Sequence, residues 1–497
     1  MSAAMRILDW PREHAQVAAL ALWDAASAAR AMAGRASSEF QIAGVEIDSR
    51  DVQSGDLFFA LKGESMDGHR FIDDAFALGA VAAVVDRPIP FPHILVEDTN
   101  AALAKLAAAA RARSTAQIIG VTGSVGKTGV KEAIFAALDR SSRGRAHRSL
   151  KSYNNHVGVP LSLARMPASA DFGIFELGMN HAGEIAALTR QVRPHVALVT
   201  AIAPAHIEML GSEAAIADAK GEIFEGLEQS GTAIIPADSV HFERLRAKAL
   251  RHASEVVSFG RAAHATVRLL DAVPAGGGGS LVTADMADRR ICYTVSAPGD
   301  HWVLNSLAVM AAVRAVGGDL GAAGLALAEM DGLPGRGARS TISVSGGTAL
   351  LIDESYNANP ASMRATLAQL GATPANRRIV VLGAMKELGT HAPGFHAALA
   401  RPVVEARIDF ALLVGEEMGA LAAALDADEL GKSVQAALGK HLRFAHCADV
   451  HEAREALREF GLERGDVVLV KGSNSVGLSA LVAELVKPGE AAAPCST

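Results

Sequence analysis

Residues Ala116-Gln117-Ile118-Ile119-Gly120-Val121-Thr122-Gly123-Ser124-Val125-Gly126-Lys127-Thr128 decide how this chain is read. An apolar run ends in a glycine loop and a helical pattern follows, the strand, loop and helix order of a phosphate cradle. The residue types suit that task. Glycines let the backbone approach an anion, successive N–H groups and a helix N-terminus hold it, Lys127 reaches the outer phosphates, and Thr128 offers a hydroxyl to Mg²⁺. Val121 stands where the strict motif has its first glycine, and Gly120 comes one place early. A glycine-rich turn with a surface lysine would use the same letters, but it would not need the strand before it.

Working outward, the flanking sequence alternates short apolar runs with helical patterns. Before the loop come Gly44–Asp48, Asp56–Leu61, a helical Arg70 to Leu78, and Val81–Val85, a small α/β unit closed by an alanine-rich helix from Thr99 to Arg113. After it, Phe172–Glu176, Val196–Thr200 and Thr232–Ile235 alternate with helical stretches and predict a doubly wound, mostly parallel sheet. Thr266 to Val295, interrupted by Gly276–Gly279, predicts a β-hairpin insertion rather than a linker. Beyond Leu333-Pro334-Gly335-Arg336-Gly337, the runs Ala349–Asp353, Arg378–Leu382, Phe410–Val414 and Val467–Val470 predict a third α/β sheet. The expected fold is therefore α/β in three domains: a small N-terminal domain over 1–113, a central phosphate-loop domain over 114–335, and a C-terminal Rossmann-like domain over 336–487. A disordered tail is expected over 488–497.

Composition narrows the function. A chain of 497 residues buries several cores without disulfides, and its three cysteines, Cys292, Cys447 and Cys495, are scattered and unpaired in sequence, as in a reducing cytosol. A net charge of −7 provides no broad basic field, which argues against nucleic acid as a partner. No apolar run approaches the roughly 20 residues that span a bilayer. Glu13 and Asp24 interrupt the apolar stretch near the N-terminus, so no signal peptide is expected. A cytoplasmic enzyme, monomeric, is the expectation.

Three further groups suit a hard cation. Glu176 ends a strand, and is either a Mg²⁺ ligand or a solvated strand end. His206, in Ala203-Pro204-Ala205-His206, follows another strand and alone reads as a structural histidine. Lys220, in Ala219-Lys220-Gly221-Glu222, alone reads as a surface lysine.

Taken together, these segments resemble the Mur ligases. The resemblance is carried, in order, by Thr122–Thr128, Tyr153-Asn154-Asn155, Glu176-Leu177-Gly178, Ala205-His206, Ala219–Ile223, Pro334-Gly335-Arg336, Asp353–Pro360 and Lys471-Gly472-Ser473, and it spans nearly the whole chain. Ser355–Pro360 and Glu176–Glu184, with no Asp-Asn-Pro-Arg motif, are most similar to the branch that adds D-alanyl-D-alanine. The resemblance implies ATP-driven amide formation between UDP-N-acetylmuramoyl-tripeptide and D-Ala-D-Ala through an acyl phosphate, with ATP and Mg²⁺ required. It implies catalytic roles for Lys127, Lys220 and His206, and metal ligation by Thr128, Glu176, His206 and a carbamylated Lys220. Thr122, Gly123, Ser124, Val125, Gly126, Lys127, Thr128, Asn305, Arg336, Asp353 and Asn357 would hold the nucleotide. Asp48, Ser49 and Arg50 match the uridine-nucleotide region, Asn154 and Asn155 the tripeptide contacts, and Lys471 and Ser473 the neighbourhood of the acceptor. Trp302 stands where the family commonly has Asn, and His156 where an acidic residue is often seen. A folylpolyglutamate synthase would share the central chemistry but lack the first unit, and a guanine-nucleotide switch would carry an Asn-Lys-x-Asp motif that is absent here.

Overall fold

A computed structural model describes residues 21–63, 66–150, 152–205, 207–275, 278–330, 332–427 and 442–487. His206 and the expected tail lie outside the described residues. The chain forms two compact units, Met1–Thr115 with Pro160–Ser169, and Ala116–Val159 with Ala170–Thr497.

The first unit pairs β1 (Trp23–Asp24) with β3 (Gln41–Ile42) in an antiparallel ribbon. Its main sheet contains β2 (Arg35–Ala36), β4 (Gly44–Glu46), β5 (Asp56–Phe59), β6 (Ala82–Val85) and β7 (His93–Leu95), ordered β2-β7-β6-β5-β4. All neighbours run parallel except β2 and β7. All four residues of β6 are buried, as expected of a parallel strand covered on both faces. Helix Thr99–Arg113 starts at Asp98, whose carboxylate accepts from the Asn100 and Ala101 amides, an ordinary N-cap. Pro160–Ser169 packs with this unit although it follows the phosphate loop in sequence: Trp23 Nε1 donates to Ala164 O at 3.2 Å, and Arg165 Nε donates to Val45 O at 2.6 Å while its guanidinium pairs with Glu46. Those partners are remote in sequence, which is why local pattern assigns the segment to the central domain.

The second unit holds two sheets. The first is built from β8 (Gln117–Thr122), β9 (Ala146–Arg148), β10 (Phe172–Glu176), β11 (Val196–Val199), β12 (Thr232–Pro236), β13 (Glu255–Gly260), β14 (Val267–Pro274), β15 (Ser280–Asp285) and β16 (Arg290–Val295). Their order is β16-β15-β14-β13-β12-β11-β8-β10-β9. Strands β9 to β14 are parallel, and β14, β15 and β16 form an antiparallel meander on the sheet's edge. The expected hairpin is thus present as an extension of the sheet. Chain order reverses around β8, between β10 and β11, and an open α/β sheet binds ligands at the C-terminal strand ends of such a point.

The second sheet contains β17 (Ala338–Val344), β18 (Gly347–Glu354), β19 (Arg378–Gly383), β20 (Phe410–Val414), β21 (Arg443–Cys447) and β22 (Val467–Lys471), ordered β17-β18-β22-β19-β20-β21. It is parallel apart from the β17–β18 hairpin. The central strands β19, β20 and β22 match the expected runs. Sequence reading did not find β17 and β21, which are edge strands with mixed polar composition and little apolar contrast. Each sheet has its own core, one around Ile119, Ile134, Leu198 and Leu307, the other around Leu351, Val381, Leu412 and Val470.

Candidate functional site

Strand β8 continues through Val121, which pairs with Glu176 and Leu198, so the position where the strict motif has glycine is simply more strand. The turn is made by Gly123 (φ +151°) and Gly126 (φ +86°), conformations that L side chains rarely adopt. A Cβ on Gly123 would collide with Thr200 Oγ1. That hydroxyl donates to Val125 O at 2.5 Å and so braces the loop from the end of β11. Ser124 adds a second tie, with its amide donating to Ala201 O at 2.8 Å and its hydroxyl to Ala203 O at 2.9 Å.

Helix Lys127–Ser142 begins at the loop, so its free N–H groups and its dipole face whatever the loop holds. Lys127 Nζ donates to Gly123 O at 2.8 Å. Thr128 Oγ1 donates to Glu176 Oε2 at 2.9 Å, and Asn154 Nδ2 donates to Glu176 Oε1 at 2.8 Å. The fully buried Glu176 is therefore held at both oxygens, and its amide donates to Ser149 Oγ at 3.1 Å. Beneath it, the buried Lys131 Nζ donates to Ser149 O at 2.8 Å and anchors that loop to the phosphate-loop helix. Thr128 and Glu176 together present two hard oxygen donors beside the anion cradle, the donor chemistry Mg²⁺ takes. Among the described residues there is no cluster of three or more His, Cys, Asp or Glu that would hold a metal by itself.

Lys220 lies in the last turn of helix Glu213–Gly221, 1 % exposed, with no hydrogen-bond or ion-pair partner among the described residues. Burial, with the nearby Lys127 charge, pushes its amine well below the usual ammonium range. Burial likewise lowers Lys127, opposed by Glu176 and aided by Arg336.

These groups line a cleft of about 770 Å³. From the loops and helices around the nine-stranded sheet come Ser124, Val125, Gly126, Lys127, Asn154, Asn155, Glu176, Lys220 and Asn305, from the boundary loop Arg336, and from beyond it Asn357 and Lys471. The Arg336 guanidinium lies 4.2 Å over the Tyr356 ring and donates to Ser152 Oγ at 3.3 Å. The buried Lys471 Nζ donates to Asn357 O at 3.0 Å and pairs with Glu354 at 3.2 Å. Thr122, Gly123, Thr128, Asp353 and Ser473 are not among the residues that line the cleft. Thr122 and Gly123 support the loop. Asp353 accepts from the Gly335 amide at 2.7 Å and from Ser355 N and Oγ at 3.0 and 2.6 Å, and so shapes the turn that carries Arg336. Ser473 Oγ accepts from the Lys386 amide at 3.0 Å. Asp48, Ser49 and Arg50 belong to the first unit, where Arg50 is paired to Asp48 through Nε at 2.9 Å and Nη2 at 2.6 Å.

Sequence reasoning missed Thr200, Ser149, Lys131 and Glu354. Glu354 had a signal, being the strand-end carboxylate next to Asp353. The other three act through contacts far apart in sequence and had none.

Residues 121–313 match the Mur ligase middle domain, 339–474 the Mur ligase glutamate ligase domain, and 41–111 the Mur ligase family catalytic domain. A UDP-N-acetylmuramoyl-tripeptide–D-alanyl-D-alanine ligase of Synechocystis is 36 % identical, with 90 % of this chain and 93 % of that protein covered. Its Escherichia coli counterpart is 35 % identical, with 90 % and 94 % covered. Among solved structures, MurF from Acinetobacter baumannii superposes with a TM-score of 0.78 at 29 % identity, over 94 % of this chain and 99 % of that one. MurF ligase from Thermotoga maritima in complex with ADP gives 0.71 at 25 % identity, over 89 % and 96 %.

Proposed function

Because the chain belongs to the Mur ligase family, we propose that it is an ATP-dependent, ADP-forming ligase that adds D-alanyl-D-alanine to UDP-N-acetylmuramoyl-tripeptide in peptidoglycan precursor synthesis. The observation that carries this reading is one cleft lined by a phosphate loop, by Glu176, which accepts from Thr128, and by two cations, Arg336 of the boundary loop and Lys471 at the end of β22.

The loop N–H groups and Lys127 bind the outer phosphates of ATP, and the γ-phosphoryl passes to the terminal carboxylate of the tripeptide, leaving ADP. The amine of D-Ala-D-Ala then attacks the acyl carbon, its proton departs to solvent, and inorganic phosphate leaves. The protein's task in such transfers is positioning and charge stabilisation. Mg²⁺, when bound by Thr128 and Glu176, supplies neutralising charge to the phosphates. Asn154 holds Glu176 in place and, with Asn155, faces the tripeptide. Arg336, flat against Tyr356, contacts the nucleotide phosphates, and Asp353 fixes the turn from which it reaches them. Asn357, whose carbonyl fixes Lys471, approaches the nucleotide, while Lys471 and Ser473 border the acceptor. Asp48, Ser49 and Arg50 bind the uridine nucleotide. Addition of CO₂ to the neutral Lys220 amine, with loss of one proton to solvent, would make it an anionic metal ligand, and its burial as an amine without a described partner supports that role. His206 would serve as a second-metal ligand.

We place it as a monomer. Among the described residues no helix is long and apolar enough to cross a membrane, and we place the enzyme in the cytoplasm, where ATP is supplied. Phosphate release should require ATP, the tripeptide precursor and D-Ala-D-Ala together, and should be weak with L-Ala-L-Ala or single amino acids. Equal rates with free diaminopimelate would overturn the assignment.

A further inference from the structure

Arg165 belongs to none of the motifs read from the sequence and does not line the cleft, yet the fold buries it in the first unit. Its side chain is 14 % exposed, and that of its partner Glu46 is 8 % exposed. Glu46 is the last residue of β4, an edge strand, and Arg165 covers part of the open edge: its Nε donates to Val45 O at 2.6 Å while Nη2 pairs with the Glu46 carboxylate. The two oxygens of Glu46 divide the work. Oε2 takes the guanidinium, and Oε1 accepts from two successive amides, Ile47 at 2.8 Å and Asp48 at 3.2 Å. The bonds then run on into the turn. Asp48 Oδ1 accepts from the Arg50 amide at 3.1 Å and from Arg50 Nε at 2.9 Å, and Asp48 O accepts from the Asp51 amide at 3.0 Å.

Two physical points give this arrangement a task. A buried ion pair adds little net stability, because desolvation offsets the attraction, and its best-attested use is to select one geometry. Here the geometry is that of the Ile47–Arg50 turn, held from beneath by Glu46 and carrying the exposed Arg50 side chain. The second point is a neighbouring acid. Asp56, on the adjacent strand β5, is half-buried. Burial pushes its carboxyl up, the Gln53 amide pulls it down, the Glu46 charge raises it further and Arg165 lowers it. Removing Arg165 therefore sets two carboxylates against each other, and Glu46 gains by swinging out to water and dropping both amides.

We propose that Arg165, acting through Glu46, holds the Ile47–Arg50 turn in the shape that takes the uridine nucleotide. Arg165 is a positioning residue, in contact with the support of the turn and not with the ligand. The inference rests on the reading of Asp48, Ser49 and Arg50 as the uridine-nucleotide contacts.

Calorimetric titration of the full chain with UDP, with excess ADP present to fill the phosphate loop, and separately with ADP, tests this. Arg165→Met keeps an unbranched apolar side chain and removes the charge. It should weaken UDP about tenfold or more, the range of a charge-assisted hydrogen bond, and leave ADP within about twofold. Arg165→Lys keeps the charge but cannot bond Val45 O and Glu46 together through one planar fork, so it should lose part of the UDP affinity. The double variant Glu46→Gln/Arg165→Met should bind UDP as Arg165→Met does, because both side chains act through one turn. Trp23→Phe removes the bond to Ala164 O and loosens the same segment without touching Glu46; it should leave UDP within about twofold. Unchanged UDP affinity in Arg165→Met, or in Arg165→Lys should the Met variant not fold, would overturn the inference. So would equal losses for UDP and ADP, a loss in Trp23→Phe as large as in Arg165→Met, or losses that add in the double variant. A wild-type chain that binds ADP but not UDP would overturn it together with the reading of Asp48, Ser49 and Arg50.

Discussion

Replacing Gly123 with alanine tests whether the phosphate loop works through its backbone shape. Gly123 has φ +151°, and a Cβ there would displace the Thr200 hydroxyl that donates to Val125 O at 2.5 Å. The backbone strain costs about 1–3 kcal/mol for a non-glycine residue in such a region. The displaced hydrogen bond costs about 0.5–1.5 kcal/mol more. The sum, about 1.5–4.5 kcal/mol, corresponds to a factor of about 10 to 2,000 in an equilibrium constant. An empty loop can relax out of the clash, but a loop wrapped on phosphates cannot, so most of this cost should appear on nucleotide binding. Initial rates of phosphate release against ATP concentration should then show KM raised about 10-fold or more, with a smaller change in kcat. Gly461→Ala is the control: its φ of +70° is also positive, but a Cβ there meets nothing within 4 Å, so it should lower stability by about 1 kcal/mol and leave the kinetics alone. A Gly123→Ala enzyme with KM and kcat within about twofold of wild type, well inside the factor just derived, would refute the argument.

Lys127→Ala should lower kcat by about 10² or more while circular dichroism stays unchanged, since its ammonium offsets charge on the transferring phosphoryl; wild-type turnover would sink the phosphate-loop reading. Lys220→Ala should be strongly impaired, should recover in part with a small added carboxylate, and the wild type should lose activity when CO₂ is removed, most at lower pH where the amine is protonated; an unimpaired variant would show an ordinary buried lysine. His396 ties helix Ala392–Ala397 to the loop that follows β19: its Nε2 accepts from the Met385 amide at 2.9 Å and its Nδ1 donates to Ala392 O at 2.7 Å. Burial pushes this imidazole below its ordinary value of about 6.5. The unfolded chain therefore takes the proton first, and stability present above about pH 6.5 is lost as pH falls toward the folded value. Urea unfolding at pH 7.5 and 5.5 should show a larger loss for wild type than for His396→Gln, and equal losses would remove His396 as the cause.

The parts of the site that could be read in advance are contiguous in sequence. Gly123, Gly126, Lys127 and Thr128 lie within one turn of chain, and Glu176 closes a strand whose apolar run is unmistakable, so residue type and spacing alone identify an anion cradle with a hard-oxygen donor nearby. The core strands β19, β20 and β22 were equally legible, because strands buried on both faces are uniformly apolar. The sequence also carried the order of motifs from Thr122 to Ser473 that marks the family.

What the sequence by itself determined was therefore the set of chemical groups and the local backbone that displays them. Only the tertiary structure decided which groups meet. It put Thr200 under Val125, and Lys131 under the Ser149 that supports Glu176. It turned Asp353 into the brace of the Arg336 turn, set Pro160–Ser169 in the first unit, and laid Trp302 on Gly129. None of these pairings has a periodicity or a spacing to betray it. A contact between two sheets or helices depends on how their surfaces close, to within a few tenths of an ångström, and a single chain's pattern of apolar and polar residues specifies which face is buried but not what it is buried against.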